Sequence, residues 1–226
     1  MTSIKKNALA VCALVLLGCA AMTVVDGVLR PPYAVKSAVK LTLFLLAPLL
    51  YEYTAGRDGH RALFRIQRRA LLRVLALGFG VFALILGAYF ALRGIFDFSA
   101  VTALLDKNAG VTAENFLWVS LYVSFVNSLL EEFFFRGFAF LVLRRYAGER
   151  FACLFSALSF ALYHTAMMLG WFSPPLFLLA LAGLAAGGVL FDLLDAGSGT
   201  LFPSWAVHIF ANLAINTVGF ILFKIL

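Results

Sequence analysis

The stretch SLLEEFFFRG, residues 128–137, places two adjacent carboxylates and an arginine in one of the most apolar parts of the chain. Ionisable side chains at mid-membrane cost about 2.5–3.5 kcal/mol each on insertion scales and usually face a protein interior or an aqueous cavity. Glu132 and Arg136 are four residues apart with the acid first, which favours an ion pair along one helix. Glu131 lies about 100° further around a helix. It is therefore predicted to stay available for chemistry, with Asn127 one turn away as a hydrogen-bond partner.

Two later segments carry further polar groups inside apolar runs. SFALYHTAMM puts Phe160 and His164 on one helix face, and PSWAVHIFANLAIN puts His208, Asn212 and Asn216 on one stripe. Imidazole can act as an acid or a base near neutral pH, and a pair of such groups could hold a substrate carbonyl. The same groups could instead hold helices together, at about 0.6 kcal/mol per hydrogen bond. Their joint occurrence in a chain with few buried polar groups favours a common site.

The elements that must position these groups are membrane helices. The chain has 226 residues, 63% of them hydrophobic and 13% charged, with a mean hydropathy of +0.99. A soluble domain is not this apolar, and the recurring apolar runs predict an all-α, polytopic transmembrane helical bundle within a lipid bilayer. Because the chain is too short for a separate soluble domain, residues 1–226 are predicted to form a single integral membrane domain.

Seven segments approach the roughly 20 apolar residues that a membrane helix needs. They are residues 7–25, 34–53, 71–92, 115–142, 151–170, 175–193 and 201–223. An eighth, re-entrant or split segment stays open. Residues 96–105 are too short to span, and their apolar spacing predicts a helix lying in the interface. On the sixth span, Gly183 and Gly187 form a small-xxx-small pattern that predicts a close approach of another helix.

The basic residues indicate the orientation of these spans. A cytoplasmic N-terminus would put 11 of the 18 Lys and Arg in cytoplasmic loops and six, including Lys40, on the outer side. This bias predicts a cytoplasmic N-terminus, and the Ala- and Arg-rich chain suggests a bacterial inner membrane. Glu131, His164 and His208 would then lie roughly 10–20 Å from the inner surface, so one cavity open to the cytoplasm could contain them. The net charge of +7 reflects these loops and does not indicate a nucleic-acid partner.

At its buried polar residues the chain resembles the CPBP family of intramembrane proteases, the CAAX prenyl protease and bacteriocin-processing (Abi) proteins. Three motifs within residues 113–224 carry the resemblance. Glu-Glu-x-x-x-Arg matches Glu131, Glu132 and Arg136, Phe-x-x-x-His matches Phe160 and His164, and His-x-x-x-Asn matches His208 and Asn212. The order, the spacing and the membrane setting of the motifs all agree with the family pattern.

The resemblance implies hydrolysis of a peptide bond inside or at the edge of the bilayer, in a peptide or a membrane-protein tail. It assigns Glu131 as the general base that polarises a water with help from His164. It assigns His208 and Asn212 to stabilising the oxyanion that forms. The supporting residues are Glu132, Arg136 and Asn127.

The family has also been described as metal-dependent. One Glu and two His, here Glu131, His164 and His208, could ligate zinc with an open fourth position. However, the chain contains no His-Glu-x-x-His motif, and asparagine is a poor zinc ligand. The sequence therefore favours a metal-free, glutamate-activated water without a cofactor, and zinc is the alternative.

Two other classes of function fit the same residues. In a transporter or proton-coupled channel, Glu131, Glu132 and His164 would form a relay. In a non-catalytic immunity or scaffold protein, the polar groups would only join helices. Transporters often contain internal repeats and helices broken at paired positions, and neither pattern is convincing here. The sequence does not select among prenylated tails, bacteriocins and C-terminal sorting signals as substrates, and it leaves the oligomeric state open.

Overall fold

The computed structural model describes residues 3–54, 63–66 and 71–226. Within these residues there is no β-strand, and eight helices of ten or more residues follow one another. They are α1 (Ile4–Leu29), α2 (Tyr33–Thr54), α3 (Leu71–Leu92), α4 (Ala100–Ala109), α5 (residues 116–142), α6 (Glu149–Met168), α7 (Pro174–Ser198) and α8 (Phe202–Leu222). The predicted all-α, polytopic helical bundle is confirmed.

Six of the seven predicted spans correspond to helices that are long and apolar enough to cross a membrane, namely α1, α2, α3, α6, α7 and α8. The other one, α5, is helical for about 40 Å at 1.5 Å per residue. It is not among the six, and it carries Glu131, Glu132 and Arg136 in its second half. The predicted interfacial segment 96–105 becomes α4, which begins and ends about four residues later. Its place at a membrane surface stays a prediction.

The outer surface of the bundle is apolar. Leu72, Leu84 and Trp118 are each more than two-thirds exposed, as are several other large apolar side chains. Such a surface is stable only where lipid covers it, so the chain is an integral membrane protein. The orientation argument rests partly on Arg57, Arg61, Arg68 and Arg69, which lie outside the described residues.

Helix α5 forms the centre of the bundle. Every residue from Glu132 to Val142 is buried, because α1, α2, α6, α7 and α8 all pack against this helix. The phenylalanines between the charged residues are core side chains. Phe134 stacks on Phe44 of α2 at 4.0 Å between ring centroids, and Phe135 meets Phe160 of α6 edge-on at 5.3 Å. The charged residues of α5 therefore lie in protein and not against lipid.

Three π-helical segments lie beside the charged residues. Two are on α5, Val123–Asn127 and Glu132–Val142, and the third is Thr42–Leu46 on α2. A π turn closes its hydrogen bonds one residue later than an α turn, and π turns occur frequently at functional sites. The wider turn changes the direction of the side chains that follow. Glu131 and Glu132 nevertheless share one neighbour on α8, because His208 contacts Glu131 Oε2 at 3.7 Å and Glu132 Oε1 at 2.7 Å.

The close helix approach predicted on the sixth span occurs one residue further on. A Cβ atom at Gly183 or Gly187 would meet nothing within 4 Å, so the predicted positions are wrong. At Gly188 a Cβ atom would lie 2.9 Å from the Ala157 Cα atom of α6. Helices α6 and α7 therefore cross with their backbones in contact at Gly188.

Gly188→Ala is expected to destabilise the protein by about 1–3 kcal/mol, because the added methyl group forces α6 and α7 apart. Gly187→Ala is the matched control, since it adds the same group at a position with free space and gains helix propensity of up to about 1 kcal/mol. Thermal unfolding of both variants in the same detergent measures the difference. Equal melting temperatures would contradict the close contact.

Candidate active site

Glu131 lies at the centre of a buried polar cluster. Its Oε1 atom accepts hydrogen bonds from Lys40 Nζ at 2.5 Å and from Asn127 Nδ2 at 3.0 Å. Lys40 also donates to Asn127 Oδ1 at 2.6 Å. The Oε2 atom points the other way, 3.9 Å from His164 Nε2 and 3.7 Å from His208 Nε2. One carboxylate oxygen is therefore occupied, and the other faces two imidazole nitrogens.

His164 sits at a break in α6. The regular α-helix ends at Tyr163, and the His164 amide donates a hydrogen bond to the Ala161 carbonyl, three residues earlier. The Phe160 carbonyl instead contacts the ring of the same histidine, with Nδ1 at 2.7 Å. A carbonyl only accepts, so Nδ1 carries the hydrogen, and in the neutral ring Nε2 is an acceptor. The helix break thus sets both the orientation and the tautomer of His164.

His208 is held from three sides. Its Nδ1 atom lies 2.7 Å from Glu132 Oε1, its ring stacks on Phe191 at 5.3 Å, and Phe160 meets it edge-on at 5.9 Å. These contacts leave Nε2 directed at the free oxygen of Glu131. Because a carboxylate is an acceptor, Glu132 keeps a hydrogen on Nδ1.

The predicted pair of Glu132 and Arg136 is present as an ionic contact, with Arg136 Nε 3.4 Å from Glu132 Oε2. Arg136 is fully buried and lies 3.8 Å from a second carboxylate, Asp192 of α7. The rings of Phe160 and Phe191 contact its guanidinium at 4.2 and 4.9 Å. Glu132 therefore balances Arg136 and also orients His208, a role that the spacing along the chain did not indicate.

Asn212 lies one turn beyond His208 and contacts the backbone of α5. Its Nδ2 atom donates to the Val123 carbonyl at 3.1 Å. Asn216 donates likewise to the Ser120 carbonyl at 3.1 Å. These bonds join α8 to the first half of α5, in agreement with the helix-joining alternative. Among the described contacts, Asn212 has no hydrogen bond to Glu131, and its role at an oxyanion stays a prediction.

The structure thus brings Glu131, His164 and His208 together, with Glu132, Arg136 and Asn127 around them. The comparison with known families bears on the same segment. Residues 113–214 match the family model described as type II CAAX prenyl endopeptidase, Rce1-like. Over this segment the chain is similar to the Rce1-like family. The resemblance to the CAAX protease family, predicted from the three motifs, is confirmed over residues 113–214.

The Rce1-like segment contains every motif residue. The family description names an endopeptidase, and proteases of this family act on peptides or proteins in a membrane, so the match supports protease activity. It covers just under half of the chain and begins after α4. No curated protein and no solved structure matches the chain.

Lys40 lies outside the Rce1-like segment, and it is a buried residue of α2 although the sequence counted it among the charges that indicate orientation. It is only 5% exposed and contacts Glu131 directly. The count of charges put it on the outer side, although it falls within the predicted span 34–53. A lysine within a span was itself the signal, because such a charge requires a buried partner.

Two buried aspartates of α7 were also missed. Asp192 accepts a hydrogen bond from Ser156 Oγ at 3.0 Å. Asp195 accepts from both Ser204 Oγ at 2.7 Å and the Ser204 amide at 3.2 Å, at the start of α8. The predicted span ended at residue 193, whereas α7 continues to Ser198, so Asp195 fell outside the predicted span and Asp192 fell next to its end.

The residues of the Rce1-like segment fit a zinc ion poorly. Glu131, His164 and His208 are the candidate ligands, yet no group of three His, Cys, Asp or Glu among the described residues is arranged to hold a metal ion. The ammonium of Lys40 also contacts the same carboxylate, which puts a positive charge next to the position that a cation would take. No step of the proposed reaction therefore involves a metal.

Proposed function

We propose that the chain is an intramembrane endopeptidase that hydrolyses a peptide bond of a peptide or a membrane-protein tail with a water activated by Glu131. The observation that carries this proposal is the convergence of three atoms. Glu131 Oε2 lies within 4 Å of the Nε2 atoms of both His164 and His208, in the interior of the bundle. A scaffold protein has no need for two imidazoles directed at one free carboxylate oxygen.

The gap between Glu131 and His164 suits a bridging water. At 3.9 Å the two atoms are too far apart for a direct hydrogen bond. Both atoms are acceptors when His164 is neutral with its hydrogen on Nδ1, so a molecule that donates two hydrogens joins them. Water is such a molecule, and with both hydrogens engaged its oxygen lone pairs are free to attack.

The chemical step then follows from these groups. The water oxygen bonds to the carbonyl carbon of the substrate, and its proton passes to Glu131 Oε2. The carbonyl electrons become an oxyanion on the tetrahedral intermediate. Collapse of this intermediate breaks the carbon–nitrogen bond, and Glu131 returns the proton to the leaving amine. Glu131 thus acts first as a general base and then as a general acid.

His208 is the proposed donor to the oxyanion. Its Nδ1 hydrogen is held by Glu132, so Nε2 donates only when the ring carries both hydrogens. The Glu132 carboxylate stabilises that imidazolium, in the way that an aspartate stabilises histidine in other proteases. Asn212 is the proposed second donor through the N–H that Val123 does not engage. Removing one oxyanion donor typically lowers kcat by about 10²–10³-fold.

A prenylated C-terminal tail is the first substrate class to test, since the family description names it. Purified protein in liposomes is given an internally quenched peptide that ends in a farnesylated Cys-aliphatic-aliphatic-X sequence, and the same peptide without the farnesyl group. Mass spectrometry of the products identifies the cleaved bond. Cleavage of either peptide supports the protease, and the ratio of the two rates tests the lipid requirement.

The relay alternative is tested on the same liposomes with a trapped pH-sensitive dye. A proton flux that requires Glu131, together with uncleaved peptides, would replace the protease by a transporter. Peptide cleavage without such a flux is the result expected here.

Chelation is expected to leave the activity unchanged. Treatment of the purified protein with 1,10-phenanthroline or EDTA removes weakly and moderately held metal ions, and the proposed water needs none. The measurement is peptide cleavage before and after dialysis, with the metal content of the same sample determined by mass spectrometry. Loss of cleavage that zinc restores, together with stoichiometric zinc in the untreated sample, would contradict the metal-free mechanism.

A further inference from the structure

We propose that Lys40 is a positioning residue of the catalytic centre, which holds Glu131 by one oxygen so that the other is presented to the water. This inference rests on the proposed protease function. It adds to the site a residue of α2, a helix that lies outside the segment with the family motifs.

The ammonium of Lys40 has a complete set of partners. Two of its hydrogens are directed at Glu131 Oε1 and Asn127 Oδ1, at 2.5 and 2.6 Å. On its remaining side are the rings of Tyr163, at 5.0 Å, and Phe44, at 5.3 Å. An ammonium with three donors and no acceptor is satisfied by this arrangement.

Lys40, Asn127 and Glu131 form a closed triangle of hydrogen bonds, because Asn127 donates to the same Oε1 atom that Lys40 contacts. A carboxylate has two equivalent oxygens and rotates easily about its terminal bond. Two donors on Oε1 remove this freedom and leave Oε2 facing His164 and His208. Catalysis depends on such preorganised geometry, because small displacements of a reacting group are costly.

The positive charge of Lys40 also prepares Glu131 to act as a base. Glu131 is buried, and a buried carboxylate without a partner is strongly disfavoured in its ionised form. His164 accepts with its Nε2 atom when neutral, and Arg136 is engaged with Glu132 and Asp192. Among the described residues, Lys40 is the permanent cation that contacts Glu131. It therefore keeps the base in the ionised form that accepts a proton.

Lys36 provides a natural comparison on the same helix. It lies one turn before Lys40 and pairs with Asp26 of α1 at 2.8 Å. It has the same side chain and also a carboxylate partner, but that partner lies outside the catalytic cluster. A lysine that only joins helices should behave like Lys36, and a positioning residue should not.

The experiment measures kcat and KM separately for Lys40→Met and Lys36→Met with the farnesylated quenched peptide in liposomes. Lys40→Met is expected to lower kcat about 10–100-fold, with KM within a few-fold of wild type. The same range is found when a residue that orients a metal ligand by a hydrogen bond is removed. Lys36→Met is expected to keep both values. If Lys40→Met does not accumulate as folded protein, Lys40→Gln, which keeps an N–H donor without the charge, takes its place.

Rescue by a small amine separates positioning from packing. Lys40→Ala leaves a space next to Glu131 that ethylammonium fits, and the added amine is expected to restore part of the lost kcat with saturation. The same amine should do nothing for Lys36→Ala or Glu131→Gln.

The outcomes distinguish the two proposals. Full activity of Lys40→Met with inactive Glu131→Gln would overturn the role of Lys40 and leave the protease standing. A loss confined to KM, or an equal loss in both lysine variants, would also overturn it. Equal cleavage by wild type and Glu131→Gln would overturn the proposed function and this inference with it.

Discussion

Glu131→Gln is expected to lower kcat for the quenched peptide by about 10²–10⁴-fold, the usual contribution of a general base. The amide keeps the size of the side chain and an oxygen that accepts from Lys40 and Asn127, so the contacts at Oε1 survive. What is lost is the ability to take a proton from water. The loss should therefore appear in kcat, and a fall in the melting temperature should accompany it because Lys40 loses its charged partner.

Glu149→Gln is the matched control for this experiment. Glu149 begins α6, its side chain is 64% exposed, and its carboxylate lies 3.9 Å from Arg144. The same chemical change at that position should leave cleavage unaffected. If Glu131→Gln and wild type cleave the peptide at the same rate, Glu131 is not the base and the mechanism fails.

Arg136→Met is expected to destabilise the protein by about 3–5 kcal/mol, which is a large part of the stability of a typical domain. The substitution keeps an apolar chain between the rings of Phe160 and Phe191 but removes the only positive charge that the structure describes beside both Glu132 and Asp192. The buried carboxylates of Glu132 and Asp192 then lack the positive charge that balanced them. Thermal unfolding in detergent measures the loss, and reduced accumulation in membranes should accompany it.

Two further variants give this prediction its controls. Arg144→Met removes a guanidinium that is 27% exposed and lies near the helix end, and it should cost less than about 1 kcal/mol. Asp192→Asn added to Arg136→Met removes one of the uncompensated charges and should recover part of the lost stability. If Arg136→Met is as stable as Arg144→Met, the buried charge of Arg136 is not needed for folding.

The bundle was predictable from hydropathy because a helix that crosses lipid must consist mainly of apolar residues. Each span needs about 20 apolar residues, and the predicted ends of segment 71–92 agree with α3 to the residue. Helix α5 was predicted as a span from its length, although it is not among the six helices that are long and apolar enough to cross a membrane. The π turns were not predictable, since hydropathy is insensitive to one extra residue per turn. Neither was the contact at Gly188, because the pattern of small residues leaves the rotation of the helix open.

The site was predictable as far as the motifs extend. Glu131, His164 and His208 were singled out because ionisable groups are rare in apolar helices. The partners of these groups depend on which helices become neighbours, and that information is spread over distant parts of the chain. Lys40 illustrates the difficulty, since a lysine within a span indicates that a buried partner exists but does not identify Glu131 as that partner. The contact of Asn212 with Val123 likewise depends on how α8 is rotated against α5.

The distance along the chain between Lys40 and Glu131 has a consequence for biosynthesis. The two residues are 91 positions apart, so α2 reaches the translocon long before its counterion has been translated. Until α5 follows, Lys40 carries an insertion penalty of about 2.5–3.5 kcal/mol. His208 arrives later still, on α8. Under the proposed function, a nascent chain therefore lacks a complete hydrolytic centre until α8 has been inserted.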